Sequence, residues 1–158
     1  MRTAILLILL SFTFSAQAQE ERDTLLKRCP IYIEDTVTSN NFFIEARPAT
    51  LKVYRNKGNL TIVVEQKDQF FTIFFNDKRL SAGTYKIKVN ARKDNEVAAK
   101  YSFRTEDKVS YVNVSSGIVE VGFDEQKQHW RVKVNGLIAN SVGRSVSYYK
   151  AKGDLFVK

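Results

Sequence analysis

Side chains that could carry out acid–base or nucleophilic chemistry are scarce in this sequence. The chain has one histidine, His129, and one cysteine, Cys29, and it has no Gly-x-Ser-x-Gly segment of the kind that presents a nucleophilic serine. His129 stands in a polar turn, where an exposed imidazole is the simplest interpretation. The acids that hydrolysis of a glycoside would need lie mostly at outward strand positions or in turns: Glu34, Glu45, Glu65, Glu120 and Asp124. We therefore predict that the protein is not an enzyme.

The residue types offer no metal or cofactor site either. Zinc sites draw their ligands from clustered cysteines and histidines, and with one of each in the chain only carboxylates and carbonyls would remain as ligands. The sequence has no phosphate-cradling glycine loop and no dinucleotide-binding fingerprint. The prediction is that the protein holds no metal and no cofactor.

Basic residues that alternate with apolar ones provide the best candidate for a binding surface, because alternate side chains of a strand point to the same face. Together with two tyrosines, they form the predicted ligand-binding set: Lys86, Lys88, Lys100, Arg131, Lys133, Tyr148 and Tyr149. This set has two interpretations. In one, the cations bind an anionic polysaccharide or another envelope protein, and tyrosine rings stack on sugars. In the other, the charges only protect strand edges from aggregation.

The N-terminus predicts export. A basic residue, a short apolar run from Ala4 to Leu10 and a small-x-small site ending at Ala18 are the three parts of a secretory signal peptide. The run is shorter than the roughly 20 apolar residues that cross a bilayer, so no transmembrane segment is predicted. We expect a signal peptide at 1–18, a lead-in segment at 19–30 and a single domain at 31–158, in a secreted or periplasmic protein. The formal net charge of +8 favours anionic partners, although export makes nucleic acid an unexpected one.

The elements that must position these residues are strands. The segment 117–138 predicts a hairpin, with one apolar face made by Val119, Val121 and Phe123 in one run and Trp130, Val132 and Val134 in the next. Glu120 would then face Arg131 and Lys133 across the outer side of the hairpin.

Similar short runs between turn residues extend along the chain, with separate strands predicted at 31–34, 42–45, 109–114, 145–149 and 155–157 among others. About ten such strands predict an all-β fold, an antiparallel β-sandwich, with a small antiparallel β-barrel as the alternative. The run from Phe70 to Phe75 is apolar on both faces and predicts a central, deeply buried strand. In a barrel, the phenylalanines at 70, 71, 74 and 75 would either line a cavity for an apolar ligand or pack as core.

Three segments stand in an order that resembles a family. They are Leu80-Ser81-Ala82-Gly83-Thr84-Tyr85, then Ser115-Ser116-Gly117-Ile118-Val119-Glu120-Val121, then a charged turn followed by Trp130-Arg131-Val132-Lys133-Val134. The arrangement resembles uncharacterised secreted or lipid-anchored β-rich proteins of Bacteroidota, which usually have Ser-Gly-Thr-Phe where this chain has Trp130 to Lys133. The resemblance implies a β-sandwich of the bacterial envelope or the extracellular space, and it assigns no functional residue.

These observations together predict an exported, non-catalytic binding or structural protein of the cell envelope or the secreted fraction. Its expected partner is an anionic glycan or an envelope protein. Two alternatives remain from other classes: a small barrel that carries an apolar ligand, and a carbohydrate-active enzyme, which the shortage of titratable groups disfavours.

Overall fold

The computed structural model describes residues 22–38, 40, 41, 43 and 47–158. This part of the chain contains ten β-strands and no helix, which confirms the predicted all-β class and the number of strands. The strands are β1 (Arg22–Leu26), β2 (Ile31–Asp35), β3 (Ala49–Asn56), β4 (Asn59–Gln66), β5 (Gln69–Phe75), β6 (Gly83–Ile87), β7 (Glu96–Thr105), β8 (Lys108–Asp124), β9 (His129–Val142) and β10 (Ser145–Val157). The predicted signal peptide lies outside the described residues, as does the predicted strand at 42–45 apart from Phe43.

All ten strands belong to one continuous sheet, in the order β1-β3-β4-β5-β7-β6-β8-β9-β10-β2. The sheet curls into a half-barrel, which fits the barrel alternative; two separate packed sheets, as in a sandwich, are not seen among the described strands. The two edge strands, β1 and β2, are consecutive in the chain and are joined by residues 27–30. A link of this length spans at most about 18 Å at 3.3–3.6 Å per residue, so the curl brings the two edges close together at that end.

The pairing is antiparallel except at one place. β6 pairs in parallel with the start of β7, through Lys86 and Ile87, and antiparallel with the later half of β8. The earlier half of β8 pairs directly with β7. β8 can pair with both β6 and β7 because it is 17 residues long and carries a bulge between Val114 and Ser116. The long strand therefore joins the two halves of the curled sheet.

The concave side of the sheet is the core. Its largest fully buried side chains come from most of the strands: Phe43, Phe71, Phe75, Ile31, Ile33, Leu51, Ile62, Ile73, Ile87, Leu155, Val64 and Val97. β5 lies between β4 and β7, as its apolar sequence predicted. Phe71 and Phe75 pack in this core, whereas Phe70 and Phe74 are half-buried on the convex side. In the described part of the chain, the four phenylalanines therefore line no enclosed cavity.

The hairpin predicted at 117–138 is present and has the predicted faces, although Phe123, expected on the buried face, is 42 % exposed. Val121 pairs with Val132 on the buried side, and Glu120 pairs with Lys133 on the outer side. At the β3–β4 turn, Lys57 and Gly58 both have positive φ, 52° and 85°, which is the geometry of a two-residue hairpin turn.

Some segments differ from the sequence-based expectation. β1 lies in the predicted lead-in segment and extends the sheet beyond β3. The strands predicted at 109–114 and 117–123 are one strand, β8, because the bulge absorbs Ser115 without ending the pairing. Those predicted at 145–149 and 155–157 are also one, β10, in which Gly153 gives room for Ile31 of the neighbouring strand.

Candidate ligand-binding face

The convex side of β6, β8, β9, β10 and β2 is the most basic sheet surface of the described chain. The strand register places Lys86, Ile118, Asn135, Lys152 and Tyr32 side by side in one row across these strands. Thr84, Glu120, Lys133 and Asp154 form the neighbouring row. We call this surface the basic face; its exposed lysines are Lys86, Lys88, Lys133, Lys150 and Lys152.

These lysines act on nearby acids only from a distance, since the charges of Lys88 and Lys133 contribute to lowering the pKa of Glu96 and Asp154. In the part of the chain that the structure describes, no ion pair within 4.0 Å involves any of the five ammonium groups. Glu120 lies opposite Lys133, and Glu34 lies opposite Lys150, but neither carboxylate reaches ion-pair distance. The face carries three acids, Glu34, Glu120 and Asp154, against five lysines and Arg131, so its net charge is positive.

Arg131 shares the basic face but is already engaged. Its guanidinium donates two hydrogen bonds to the carboxylate of Asp154, from Nε to Oδ1 at 2.8 Å and from Nη2 to Oδ2 at 2.5 Å. The hydrogen bond from Arg131 is the main reason that the pKa of Asp154 lies below its ordinary value, with a smaller contribution from the charge of Lys133. Arg131 also lies over the ring of Phe156, at 5.7 Å from its centroid. A ligand would have to compete with this bidentate ion pair, so we assign Arg131 a structural role in the basic face.

A shallow groove of about 720 Å³ crosses the basic face over β8, β9, β10 and β2. Its lining combines an aromatic ring, two ammonium groups, an amide and two carboxylates: Tyr32, Lys133, Lys152, Asn135, Glu120 and Asp154. An exposed ring offers a flat apolar surface, while the amide and the charged groups offer hydrogen bonds. The groove therefore suits a polar ligand with an anionic group.

The seven residues predicted for ligand binding are only partly brought together. Lys86, Arg131 and Lys133 lie on the basic face, and alternation places Lys88 on the same side, just beyond the end of β6. Lys100 lies on the convex side of the other half of the sheet, where its ammonium stands over the rings of Phe74 and Tyr111, at 4.9 and 5.5 Å.

The two predicted tyrosines point to opposite sides of β10. Tyr148 is exposed on the convex side, opposite Ala139, and its carbonyl accepts hydrogen bonds from the backbone and hydroxyl of Thr36. Tyr149 faces the concave side beside Ile138. There it lines an apolar crevice of about 270 Å³, which opens where the β7–β8 and β9–β10 hairpins separate beyond Val114. Neither tyrosine lines the groove.

Sequence reasoning missed three residues of the basic face. Lys150 and Lys152 alternate with Ala151 and Gly153, a pattern that would have placed them on one face if this segment had been predicted as a strand. Tyr32 could not be assigned to the groove because its place depends on the pairing of β2 with β10, which are far apart in sequence.

The two residues singled out for possible chemistry, Cys29 and His129, do not line the groove. The described residues contain no group of three or more histidine, cysteine, aspartate or glutamate side chains that could hold a metal ion. Cys29 is buried, with its thiol donating to the carbonyl of Ile31 at 3.5 Å. His129 pairs opposite Asp124 at the far end of the hairpin. Within the same described ranges, no helix has the length and apolar character to cross a membrane.

Comparisons of the chain with protein-family models, with curated proteins and with solved structures found no match. The geometry and the charge of the surface are therefore the guides to function.

Proposed function

We propose that this protein is an exported, non-catalytic binding protein of the cell envelope or the secreted fraction, and that its basic face recognises an anionic glycan. The observation that carries the proposal is the cluster of five exposed lysines, none of them in an ion pair within 4.0 Å among the described residues, beside a groove that contains Tyr32 and Asn135. A surface made only to protect strand edges would not need this arrangement, because β8, β9 and β10 are interior strands with both edges paired.

A glycan fits this surface better than an apolar or a flat protein partner. The groove is shallow and mixes charged, amide and aromatic groups, whereas the core of a protein–protein interface is depleted in charge. The lysines span β6 to β10, which is three strand spacings of about 4.8 Å, or roughly 14 Å. An extended polyanion could meet several of them at once. Export is supported by the signal-peptide pattern at 1–18.

The test is retention of the protein, from Gln19 onward, on an immobilised anionic polysaccharide across a salt series, with a neutral polysaccharide as the reference matrix. We expect retention only on the anionic matrix and loss of retention as salt rises, because exposed charges are screened over about 8–10 Å at physiological ionic strength. The triple variant Lys86→Ala, Lys133→Ala, Lys152→Ala should elute at clearly lower salt.

A charge-matched control separates the face from the overall charge. Lys67, Lys108 and Lys127 are exposed, lie at three turns away from the groove and line neither it nor any other pocket described for the chain. Replacing these three by alanine removes the same charge and should leave most of the retention intact. Equal loss in both triple variants would mean that net charge alone drives binding. Flow-through at low salt would refute the proposal.

A further inference from the structure

A second cleft lies at the end of the half-barrel where β9 begins and β10 ends. Its floor is formed by apolar residues that face the interior from both halves of the sheet: Val53, Leu60, Leu80 and Val157. Trp130 adds an aromatic ring, and Tyr54 also belongs to the lining. We call this feature the end cleft. It is separate from the groove of the basic face, with which it shares no lining residue.

The rim of the end cleft is entirely cationic. Arg55, Lys78, Arg79 and Lys158 line it, and no acidic side chain does. None of the four takes part in an ion pair within the described ranges of the chain. The acid nearest in sequence, Asp77, turns its carboxylate to the backbone N–H of Lys78 at 2.5 Å. Four like charges around one opening repel one another, and an anion in the cleft would relieve that repulsion.

Size and lining limit what the cleft can hold. Its volume is about 280 Å³, equal to roughly nine water molecules at the ~30 Å³ that each occupies in the liquid. That is slightly below the range of about 300–1,000 Å³ for pockets that hold drug-sized ligands. The space suits about one ring with its substituents. The indole of Trp130 offers a flat surface to such a ring, and the arginines offer paired N–H donors to a carboxylate or a sulfate.

From this geometry we infer that the end cleft binds a single anionic sugar unit, a sugar ring that carries a carboxylate or sulfate group. The charge and the size of the ligand follow from the cleft alone, whereas the choice of a sugar rests on the proposed function. The cleft would then hold the terminal or branching unit of a glycan, while the basic face contacts an extended stretch of it.

Trp130 makes the inference directly measurable, because it is the only tryptophan of the chain and it lines the cleft. Glucuronate is titrated into the protein, from Gln19 onward, at constant ionic strength while tryptophan emission is recorded, with glucose as the uncharged analogue. We expect a saturable change with glucuronate and none with glucose. A longer acidic oligosaccharide, used in a second series, should produce the same saturable change.

The variant Arg55→Ala, Arg79→Ala should weaken the glucuronate response by about tenfold or more, because both charge-assisted donors are lost. Arg92→Ala, Arg144→Ala is the matched control, since both arginines are exposed and lie outside the cleft. All four side chains are exposed, so the variants should fold, and the emission spectrum without ligand checks this. No saturable change with glucuronate, an equal response to glucose, or an unchanged response in the Arg55, Arg79 variant would overturn the inference.

Failure of this inference is distinguishable from failure of the proposed function. The Lys86, Lys133, Lys152 variant should keep the full glucuronate response although it loses retention on the polysaccharide. If wild-type protein is retained but gives no glucuronate response, the end cleft inference fails and the basic face stands. If glucuronate binds but the polysaccharide does not retain the protein, the basic face fails and the cleft stands.

Discussion

The close approach of β8 and β9 at Gly117 gives a prediction whose size follows from the structure. Gly117 has φ of +137° and pairs directly with Gly136. A Cβ atom at Gly117 would lie 2.6 Å from the Cα of Gly136 and would also collide with the backbone carbonyl of Asn135. Both obstacles are backbone atoms, so no side-chain rotation can relieve the contact. Gly117→Ala must therefore strain the residue and push the two strands apart.

The two costs can be estimated separately. A non-glycine residue held in a sparsely populated backbone region costs about 1–3 kcal/mol, and forcing an extra methyl group into a packed site costs about 1–3 kcal/mol more. We expect Gly117→Ala to lower the free energy of unfolding by about 2–6 kcal/mol, a large part of the roughly 5–15 kcal/mol that stabilises a typical domain.

Gly122 on the same strand is the matched control. A Cβ added there meets no atom within 4 Å, and the residue is exposed. Gly122→Ala should be neutral or raise stability by up to about 1 kcal/mol, because glycine is entropically unfavourable inside a strand. Urea unfolding followed by circular dichroism and Trp130 fluorescence measures both variants. If the free energies of unfolding of the two variants differ by less than about 1 kcal/mol, the two strands can accommodate a methyl group at Gly117 and the reasoning is wrong.

Two further predictions concern the acid pair and the thiol. Because the pKa of Asp154 is lowered in the folded state, its stabilising contribution is present above the unfolded value of about 3.9 and is lost as the pH falls through the lower folded value. The variant Asp154→Asn should therefore unfold at a lower urea concentration than the wild type at pH 6. Its urea midpoint should approach that of the wild type at a pH below the folded pKa of Asp154, and a difference in midpoint that persists there would contradict this. Cys29, 1 % exposed, should react with a thiol reagent at least about 100-fold more slowly in native buffer than in urea, because reaction requires local opening, and similar rates would refute its burial.

Local patterns in the sequence predicted the parts of the fold that depend on neighbouring residues. Alternation predicted the faces of the hairpin formed by β8 and β9, with Val121 and Val132 on the same side of the sheet. The turn residues gave the β3–β4 hairpin, where Gly58 takes positive φ. In both cases the two strands are adjacent in the chain, so the turn fixes which residues meet.

The strand order could not be obtained in the same way. β6 lies between β7 and β8, and β2 pairs with β10, so these contacts join segments with no turn between them. The Ser-Ser-Gly segment at 115–117 has the composition of a turn, yet it is a bulge in a continuous strand because Gly117 lets β9 approach. The end cleft was missed for a similar reason, since Arg55, Lys78 and Arg79 lie at or near turns, where alternation carries no information.

The partners of the cations, more than their number, distinguish the two halves of the convex surface. On the half formed by β3, β4, β5 and β7, Lys52 contacts Glu65 at 3.1 Å and Asp23 at 4.0 Å, and Lys100 stands over Phe74. Arg104 there stands over the ring of Phe70. These cations pack over the sheet and are held there by acidic or aromatic side chains.

On the half formed by β6, β8, β9, β10 and β2, only Arg131 is held in an ion pair among the described residues, and the five lysines of the basic face make no ion pair or ring contact there. A surplus of charge that served solubility alone would have no reason to be held by acids and aromatic rings on one half and to lack such contacts at five lysines of the other. The asymmetry is therefore the strongest physical argument that the basic face is a binding surface, and it is invisible in the composition, where Lys52, Lys100 and Lys133 count alike.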